Sequence, residues 1–358
     1  MNILQLAAYA AEYGGNFIHS LIALDEKLTE KGHNVIYAFP ESAKECDWVK
    51  ELKKNRKIYY LPLAKARIRI STYLLISRIL KENNVDIIHS HFELYDIPAS
   101  FVANRHIKIF WHLHDAIYEK DSIKNRLCRC IQYRFLSKNS QLISVAEYYR
   151  VMAVKLGMPD KKSYTVINCL DLSRIDTQCG NYNSKIWDYL LMGWDYYRKG
   201  TDIVFSACEL LCEEGYNFKL LLNGNEQTWP FVYKYFDDKL PIWLEVCAPV
   251  NDVNELFRKS KTFISASRKE TFSYAVCEAA YSGMNVISTD IPGLEWARNV
   301  DSVEMIESEN VIELKNKMKE SLGKSKDDKL IKNSQQYIAE NFSIDVWVKK
   351  IMEIYGVR

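Results

Sequence analysis

The sequence lacks long apolar runs, paired cysteine motifs and a dinucleotide-binding fingerprint. Its apolar runs stay well short of the roughly 20 residues that a membrane-spanning helix needs. The N-terminus, MNILQLAAYA, has neither the basic start nor the long apolar core of a signal peptide. Nine cysteines stand at irregular positions, Cys128 and Cys130 being the closest pair, which argues against a zinc module and a secreted disulfide scaffold. We therefore expect a cytoplasmic protein.

The glycines that are present do not form a GxGxxG motif followed at the right distance by an acidic residue. That pattern is what a nicotinamide-binding strand, turn and helix require. Glycine and proline are also sparse, with 13 and 8 residues in a chain of 358. A nicotinamide oxidoreductase and a disordered chain are both disfavoured.

What is present is an alternation of short, buried-type apolar runs with longer helical patterns. We predict seven strands in the first half, from NILQLA to TVINC, and six in the second, from YLLMGW to SVEMIE. Continuous apolar runs fit parallel strands that are covered by helices on both faces. We predict two doubly wound α/β domains, 1–168 and 169–340, and a C-terminal helix within 341–358 that packs back on the first domain.

Charge is unevenly distributed although the net charge is only +2. Residues 1–170 contain 25 Lys and Arg against 17 Asp and Glu. The surplus lies in LKKNRK, KARIRI and KNRLCRCIQYR, and KARIRI leads into the amphipathic pattern STYLLISRILKENN. A basic, apolar surface suits an anionic membrane. We predict peripheral membrane binding and no nucleic-acid partner; an ordinary solvated helix face is the alternative.

Two motifs in the first half stand where strands end. Gly14 and Gly15 lie between the first strand and its helix, where a backbone can approach a phosphate; a purely structural turn is the alternative. All seven histidines precede residue 115. His114, beside Asp115, ends the WHLHD strand and is a candidate for substrate contact, against the alternative of a satisfied rim histidine. His112 shares its strand face, but we find no third ligand at metal spacing.

The second half carries an RKG loop and two spaced glutamates. In MGWDYYRKG, Gly193 supplies a turn, and Arg198 and Lys199 stand at a strand-to-helix loop where they can neutralise phosphate. In SRKETFSYAVCEAAYSG, a helix starts near Ser273, with Glu270 just outside its N-terminus and Glu278 one to two turns inside it. The helix amides can hold a pyrophosphate. Two carboxylates beside an anion site are explained if each accepts hydrogen bonds from sugar hydroxyls. This pattern predicts a nucleotide-diphosphate sugar.

The run from Glu270 to Glu278, followed by AAYSGMNVIST, resembles the signature of retaining GT-B glycosyltransferases of the group-1 family, also called family 4. Four further segments match motifs of that family and follow the family's order along the chain. They are the GG loop, KIFWHLHD, TVINCLDLSRI and MGWDYYRKG. The resemblance implies two Rossmann-like domains that face each other across a deep cleft.

The resemblance also assigns roles to the residues that match its motifs. Lys199 would bind the donor pyrophosphate, Glu278 the ribose and Glu270 the transferred sugar. The amides near Phe272 and Ser273 would assist, Gly14 and Gly15 would form a lip over the phosphates, and His114 would approach the donor sugar. The reaction would retain configuration without a metal or other cofactor, with the departing phosphate helping to deprotonate the acceptor.

The chain departs from the family pattern at two positions. Trp194 stands where the family usually has an arginine, and Cys169 where it often has a glycine. We expect a hexosyltransferase that uses a UDP-sugar and extends a lipid-linked or other cell-surface glycan precursor, such as that of a capsule or exopolysaccharide. The alternative is a catalytically silent GT-B protein that partners another transferase or senses sugar nucleotide.

Overall fold

The computed structural model describes residues 1–117, 122–177, 185–250, 252–323 and 327–357. They form two compact α/β units. The first unit contains Met1–Asp171 together with Ile344–Arg358, and the second contains Leu172–Ser343. No helix among the described residues is both long and apolar enough to cross a bilayer.

The first unit is built on a seven-stranded parallel sheet with the order β3-β2-β1-β4-β5-β6-β7. Six of the seven predicted strands form, and the seventh lies earlier in the chain than predicted, since β7 shares only Thr165 with TVINC. The strands are β1 Asn2–Ala7, β2 Asn34–Pro40, β3 Lys57–Leu61, β4 Ile87–His91, β5 Lys108–Leu113, β6 Gln141–Ser144 and β7 Ser163–Thr165. The helices are α1 Gly15–Glu30, α2 Asp47–Leu52, α3 Ile70–Glu82, α4 Asp96–Val102, α5 Ile123–Ile131 and α6 Glu147–Lys155. A π-helical turn, Gln132–Leu136, follows α5.

Both faces of this sheet are buried because its strands are apolar almost throughout. Leu4 and Leu6 point into one core and Ile3 and Ala7 into the other. The second core also contains Trp347, Ile351 and other residues of the C-terminal helix. That helix is Ile344–Tyr355, so the end of the chain completes the core of the first unit.

The second unit is a six-stranded parallel sheet with the order β10-β9-β8-β11-β12-β13. Its strands are β8 Trp187–Met192, β9 Leu220–Asn223, β10 Leu244–Cys247, β11 Ser260–Ser265, β12 Asn285–Thr289 and β13 Val303–Ile306. The helices are α7 Thr201–Glu213, α8 Trp229–Tyr235, α9 Asn254–Lys259, α10 Tyr274–Tyr281, α11 Val311–Leu322 and α12 Asp328–Phe342; the C-terminal helix is α13. The predicted fold class of two Rossmann-like, doubly wound domains is confirmed.

The strand order reverses once in each unit, between β1 and β4 and between β8 and β11. Ligands of open parallel sheets bind at the carboxyl ends of the strands on either side of such a reversal. The GG turn follows β1 and the FEL segment follows β4, while the RKG loop follows β8 and the SRKE segment follows β11. The sheet topology therefore places the expected ligand sites at the same loops in which the sequence motifs lie.

Candidate active site

In the second unit, the loop after β8 and the segment after β11 are in direct backbone contact. Gly200 has a φ of 66°, and a Cβ on it would lie 2.0 Å from the Ala266 carbonyl oxygen. The Arg268 amide donates to the Arg198 carbonyl at 2.8 Å. Only a glycine at position 200 allows this approach, because any side chain would clash with fixed backbone. The RKG triplet is therefore held against the first residues of the glutamate motif.

This contact brings Lys199 and Glu270 together. Lys199 Nζ lies 2.5 Å from Glu270 Oε1, and Ser267 Oγ donates to the same oxygen at 3.0 Å. Arg198 Nη1 is 3.6 Å from that oxygen. The Glu270 side chain is only 8% exposed, and its carboxylate lies among two cations and a hydroxyl. Sequence reasoning assigned the lysine and the glutamate to different parts of a ligand and did not foresee their pairing.

Arg268 fixes the same segment from its other side. Its guanidinium makes two 2.8 Å hydrogen bonds to the Asp202 carboxylate in the first turn of α7. It also lies over the Tyr197 ring, with Cζ 4.0 Å from the centroid. A bidentate, stacked arginine is rigid. Sequence reasoning missed this residue, which holds the Lys199 and Glu270 loops in register.

The helix α10 begins one residue after Ser273, which has a φ of 59°. A positive φ at a non-glycine residue stores strain and is concentrated at functional sites. The turn is held by Trp296, whose Nε1 donates to the Phe272 carbonyl at 2.9 Å while the two rings stack. Glu278 is half-buried on α10, within two turns of its start. Glu270 thus precedes the start of α10 and Glu278 lies on the helix itself.

Gly293 supports this region from the loop after β12. It has a φ of 90°, and a Cβ on it would lie 2.4 Å from the Glu270 carbonyl oxygen. A substituent here would push the Glu270 backbone away. The IPG triplet marks this turn, because a glycine after a proline at the end of a strand favours one.

Gly193 and Trp194, at the start of the RKG loop, both donate hydrogen bonds to Asn223 at the end of β9. Gly193 donates from its amide to the Asn223 carbonyl at 2.9 Å, and a Cβ on it would meet Leu222 and Thr201 at 2.8 Å. Trp194 is half-exposed and donates from Nε1 to Asn223 Oδ1 at 3.0 Å. An indole therefore occupies the place of the family arginine and carries no charge. Arg198, 3.6 Å from Glu270, is a second cation beside Lys199.

In the first unit, the GG turn and His114 are connected by Phe17. Gly14 caps α1 and Gly15 has a φ of 55°, so the turn uses the conformational freedom of glycine. Phe17, in the first turn of α1, contacts the His114 ring at 5.6 Å between centroids. Phe92 stacks on the same His114 ring, with 4.3 Å between the ring centroids. His114 is thus packed between aromatic rings at the carboxyl edge of the sheet.

His114 belongs to a group of four imidazoles on adjacent strands. Strand pairing places His91 opposite His112, which the reading of single strands could not show. His89, His91 and His112 lie close enough together to hold a metal ion, so the statement that a third ligand is missing was wrong. Burial lowers the pKa of all four histidines, to about 3 for His89 and His114. They are neutral at physiological pH.

Two models of known protein families match this chain. The model described as Glycosyltransferase Family 4 matches residues 19–174, and the model described as Glycosyl transferases group 1 matches residues 181–341. Between them they cover both units, including the Lys199–Glu270 pair and α10. The chain belongs to the group 1 glycosyltransferases.

Individual relatives of this glycosyltransferase are distant. It is 24% identical over 315 residues to an uncharacterised glycosyltransferase of Methanocaldococcus jannaschii, covering 86% of this chain and 83% of that one. It is 21% identical to one subunit of the human phosphatidylinositol N-acetylglucosaminyltransferase, covering 82% of this chain and 63% of that longer one. The structure of the Anabaena protein HepE in complex with UDP and glucose superposes with a TM-score of 0.77 at 14% identity, covering 99% of both chains.

For this group 1 glycosyltransferase, the assigned residue roles divide into two sets. The second unit brings together Arg198, Lys199 and Glu270, and places Gly193, Phe272, Ser273 and Glu278 in the surrounding loops and helix. The first unit holds Gly14, Gly15 and His114 at its own sheet edge. The roles of all these residues in binding and catalysis stay predictions.

Proposed function

We propose that this glycosyltransferase is a retaining, metal-independent hexosyltransferase that takes its sugar from a nucleotide diphosphate, with UDP-sugars favoured. The observation that carries the proposal is the Lys199–Glu270 ion pair next to the start of α10. A lysine, a second cation and helix amides in one place supply the positive charge that a departing pyrophosphate needs. The UDP and glucose bound to HepE are compatible with such a donor.

Each glutamate then has a separate task. Glu270, oriented by Lys199 and Ser267, accepts hydrogen bonds from the transferred sugar, and Glu278 accepts them from the ribose. Sugar contacts strengthen as positive charge develops at the anomeric carbon, whereas ribose contacts are the same before and during reaction. For His114, at the sheet edge of the first unit, contact with the sugar stays a prediction. The departing phosphate, neutralised by Lys199, helps to deprotonate the acceptor hydroxyl.

We expect Glu278→Ala to weaken nucleotide binding and Glu270→Gln chiefly to lower turnover. Thermal shifts with UDP-, GDP- and ADP-sugars measure binding, because a ligand of the folded state adds about 2.7 kcal/mol of stability at a concentration one hundred times Kd. Donor hydrolysis and transfer measure turnover. Glu278→Ala should lose the shift, and Glu270→Gln should keep it. Glu213→Ala, an exposed position on α7, is the matched control. Equal effects of both substitutions on binding and turnover would contradict this division.

The same experiment tests the alternative of a silent protein, which the uncharged Trp194 favours. A wild-type protein that shows a shift with a sugar nucleotide but neither hydrolyses nor transfers it would support a sensing or partner role. A protein that shows no shift with any donor would contradict both. The ion pair of Lys199 with Glu270 favours a protein that binds a sugar nucleotide over a purely structural partner, and turnover then separates an enzyme from a sensor.

The proposed acceptor is a lipid-linked glycan precursor at the cytoplasmic face of a membrane. The first unit exposes an apolar row on α5 and the turn after it, at Ile123, Leu127, Ile131 and Phe135. A second exposed group, Ile68, Ile70 and Leu74, lies beside Lys65 and Arg69 at the start of α3. Arg67 donates to the Glu93 carbonyl oxygen, and Arg129 donates to the Glu93 carboxylate. Glu93 therefore connects the two segments that carry these exposed groups. We call these residues the basic apolar surface; the human relative's name also specifies a lipid acceptor.

We expect the protein to co-sediment with vesicles in a manner that rises with anionic lipid and falls with salt. Lys65→Gln combined with Arg69→Gln should weaken binding about thirtyfold, since each basic residue near the surface contributes about 1 kcal/mol. Arg67 is left in place because it donates to the Glu93 carbonyl at 3.2 Å. Lys234→Gln with Lys239→Gln, exposed in the second unit, is the charge-matched control. No binding at low salt would make a soluble acceptor the better proposal.

A further inference from the structure

Trp194, two residues after β8, exposes an aromatic side chain whose edge is held in place. The residue is 49% exposed, and its Nε1 donates to Asn223 Oδ1 at 3.0 Å. Among the residues that the structure describes, no other aromatic ring stacks on this indole. Single exposed aromatic residues are common on proteins, but this one lies at the carboxyl edge of a parallel sheet, where ligands bind. Its ring is therefore a candidate contact for a ligand of the second unit.

Asn223 holds the indole because both ends of its side-chain amide are committed. Asn223 is 1% exposed, and its Nδ2 donates to the Ala248 carbonyl oxygen at 2.7 Å. An indole N–H can only donate and a carbonyl oxygen can only accept, so these two partners allow one orientation of the amide. The backbone before the indole is fixed as well, since Thr228 Oγ1 donates to the Gly193 carbonyl at 2.6 Å. Trp194 cannot swing away without leaving a buried amide oxygen unpaired.

The cations at the other end of the RKG loop are already paired with carboxylates. Arg198 pairs with Asp195 at 3.0 Å, and Lys199 pairs with Glu270 at 2.5 Å. These four groups carry no net charge, so the loop attracts a diphosphate less strongly than it would with the family arginine in place of Trp194. An aromatic face offers a different attraction, because it stacks on a flat ring whether or not that ring is charged.

The indole and the ion pair lie at the two ends of residues 193–200 and are attached to strands on opposite sides of β8. Trp194 bonds to the end of β9, whereas Lys199 and Gly200 contact the segment after β11. β9 and β11 both pair with β8, so they are two strand spacings, about 10 Å, apart. A nucleoside diphosphate covers a distance of that order from its phosphates, across its ribose, to its base.

We propose that the indole of Trp194 stacks on the nucleobase of the donor and forms a base subsite with the ends of β9 and β10. This inference rests on the proposed function, in which Lys199 binds the pyrophosphate of the same nucleotide. It deepens that function by assigning the base to the second unit, with the replacement of the family arginine exchanging a phosphate contact for a base contact. Every base has an aromatic face, so this stacking adds affinity for the nucleotide without selecting one base.

Binding of nucleotides to two variants of Trp194 tests the base subsite. UDP, GDP and ADP are titrated by calorimetry, and the one that wild type binds most tightly is followed. Trp194→Leu should weaken its binding about thirtyfold, the usual effect of removing one aromatic side chain from a stacked base. Trp194→Phe should lose much less. Both variants lack the hydrogen bond to Asn223, so the difference between them measures the ring alone.

The outcomes of this titration separate the possible roles of Trp194. Inorganic pyrophosphate should bind wild type and Trp194→Leu alike, and Tyr233→Leu, which removes another exposed aromatic ring of the second unit, is the matched control. Equal nucleotide affinities of Trp194→Leu and Trp194→Phe would reduce Trp194 to an anchor for Asn223. An equal loss of pyrophosphate and nucleotide binding would place it at the phosphates. Either result would overturn the inference.

Fluorescence reports directly on the indole. The chain has eight tryptophans, and the difference between the emission of wild type and that of Trp194→Phe isolates the part due to Trp194. The nucleotide should quench that part by stacking on the ring, and pyrophosphate should leave it unchanged. Quenching of the same size in Trp194→Phe would contradict the contact.

Steady-state kinetics distinguish the base from the transferred sugar. Trp194→Leu should raise the KM for the donor about thirtyfold and leave kcat nearly unchanged, because the base is bound alike in the ground and transition states. A loss in kcat instead would place the indole at the sugar and overturn the inference. A wild type that binds none of the three nucleotides and turns over no donor would refute the proposed function, which distinguishes the two failures.

Discussion

Lys199→Ala is expected to lower kcat/KM by two to three orders of magnitude, more than any other single substitution in the second unit. Lys199 is 18% exposed and lies 2.5 Å from the buried Glu270 carboxylate. Removal of one preorganised charge or donor at a site of developing negative charge costs about 3 kcal/mol of transition-state stabilisation. The measurement is steady-state donor turnover alongside donor Kd. The loss should lie mainly in kcat, because Glu270 also loses its orienting partner.

Arg198→Ala is the informative comparison for this prediction. Arg198 is 40% exposed, pairs with Asp195 at 3.0 Å and lies 3.6 Å from Glu270. A loss comparable with that of Lys199→Ala would mean that Arg198 takes the place of the family arginine that Trp194 replaces. Activity unchanged in Arg198→Ala would mean that the phosphates are arranged differently around Trp194. Wild-type activity in Lys199→Ala would refute the proposed site.

The first unit is expected to lose stability steeply as the pH falls from about 7 to 5. Burial lowers the pKa of His89 to about 3 and lowers that of His91 and His112 as well, whereas in the unfolded chain each titrates near 6.5. Below that value only the unfolded chain gains these protons, so the free energy of unfolding falls with pH. Each buried imidazole contributes about 1.4 kcal/mol per pH unit, and three contribute roughly 4.

One buried carboxyl opposes this effect. Burial raises the pKa of Asp96 well above its ordinary value, so at pH values above about 3.8 the folded chain keeps a proton that the unfolded chain loses. The net slope is then roughly 3 kcal/mol per pH unit. Denaturant unfolding at several pH values checks it, with His112→Phe expected to reduce the slope by about half. His106→Gln, which is exposed, is the control. A melting temperature that is flat between pH 7 and 5 would contradict the prediction.

The fold was predictable because the strands are apolar and the helices amphipathic at the right periods. Twelve of the thirteen predicted strands are present, the predicted TVINC shares only Thr165 with β7, and α10 begins within one residue of the predicted Ser273. Burial on both faces of a parallel sheet leaves an unbroken apolar run, which is the strongest signal that a short strand has. Helix ends were also readable, since Gly283 has a φ of 87° just after α10.

The pairing of Lys199 with Glu270 was not predictable from the sequence. It depends on the close approach of Gly200 to Ala266, which is set by sheet register and backbone conformation rather than by residue type. The same limit applies to the histidines. Each lies in a strand whose spacing is visible, but the hydrogen bond between His89 and His112 follows from the alignment of β4 with β5.

The return of α13 to the first unit has a consequence during biosynthesis. Residues 1–171 leave the ribosome before any of the second unit, yet Trp347, Ile351 and Tyr355 fill their core. Until those last residues emerge, α1 has an uncovered apolar face and His89 has no hydroxyl partner. Domains usually fold in the order of their synthesis. Here the half that is made first is completed last, so a truncation of the final turns of α13 should trap the nascent chain as a chaperone substrate with its second unit already folded.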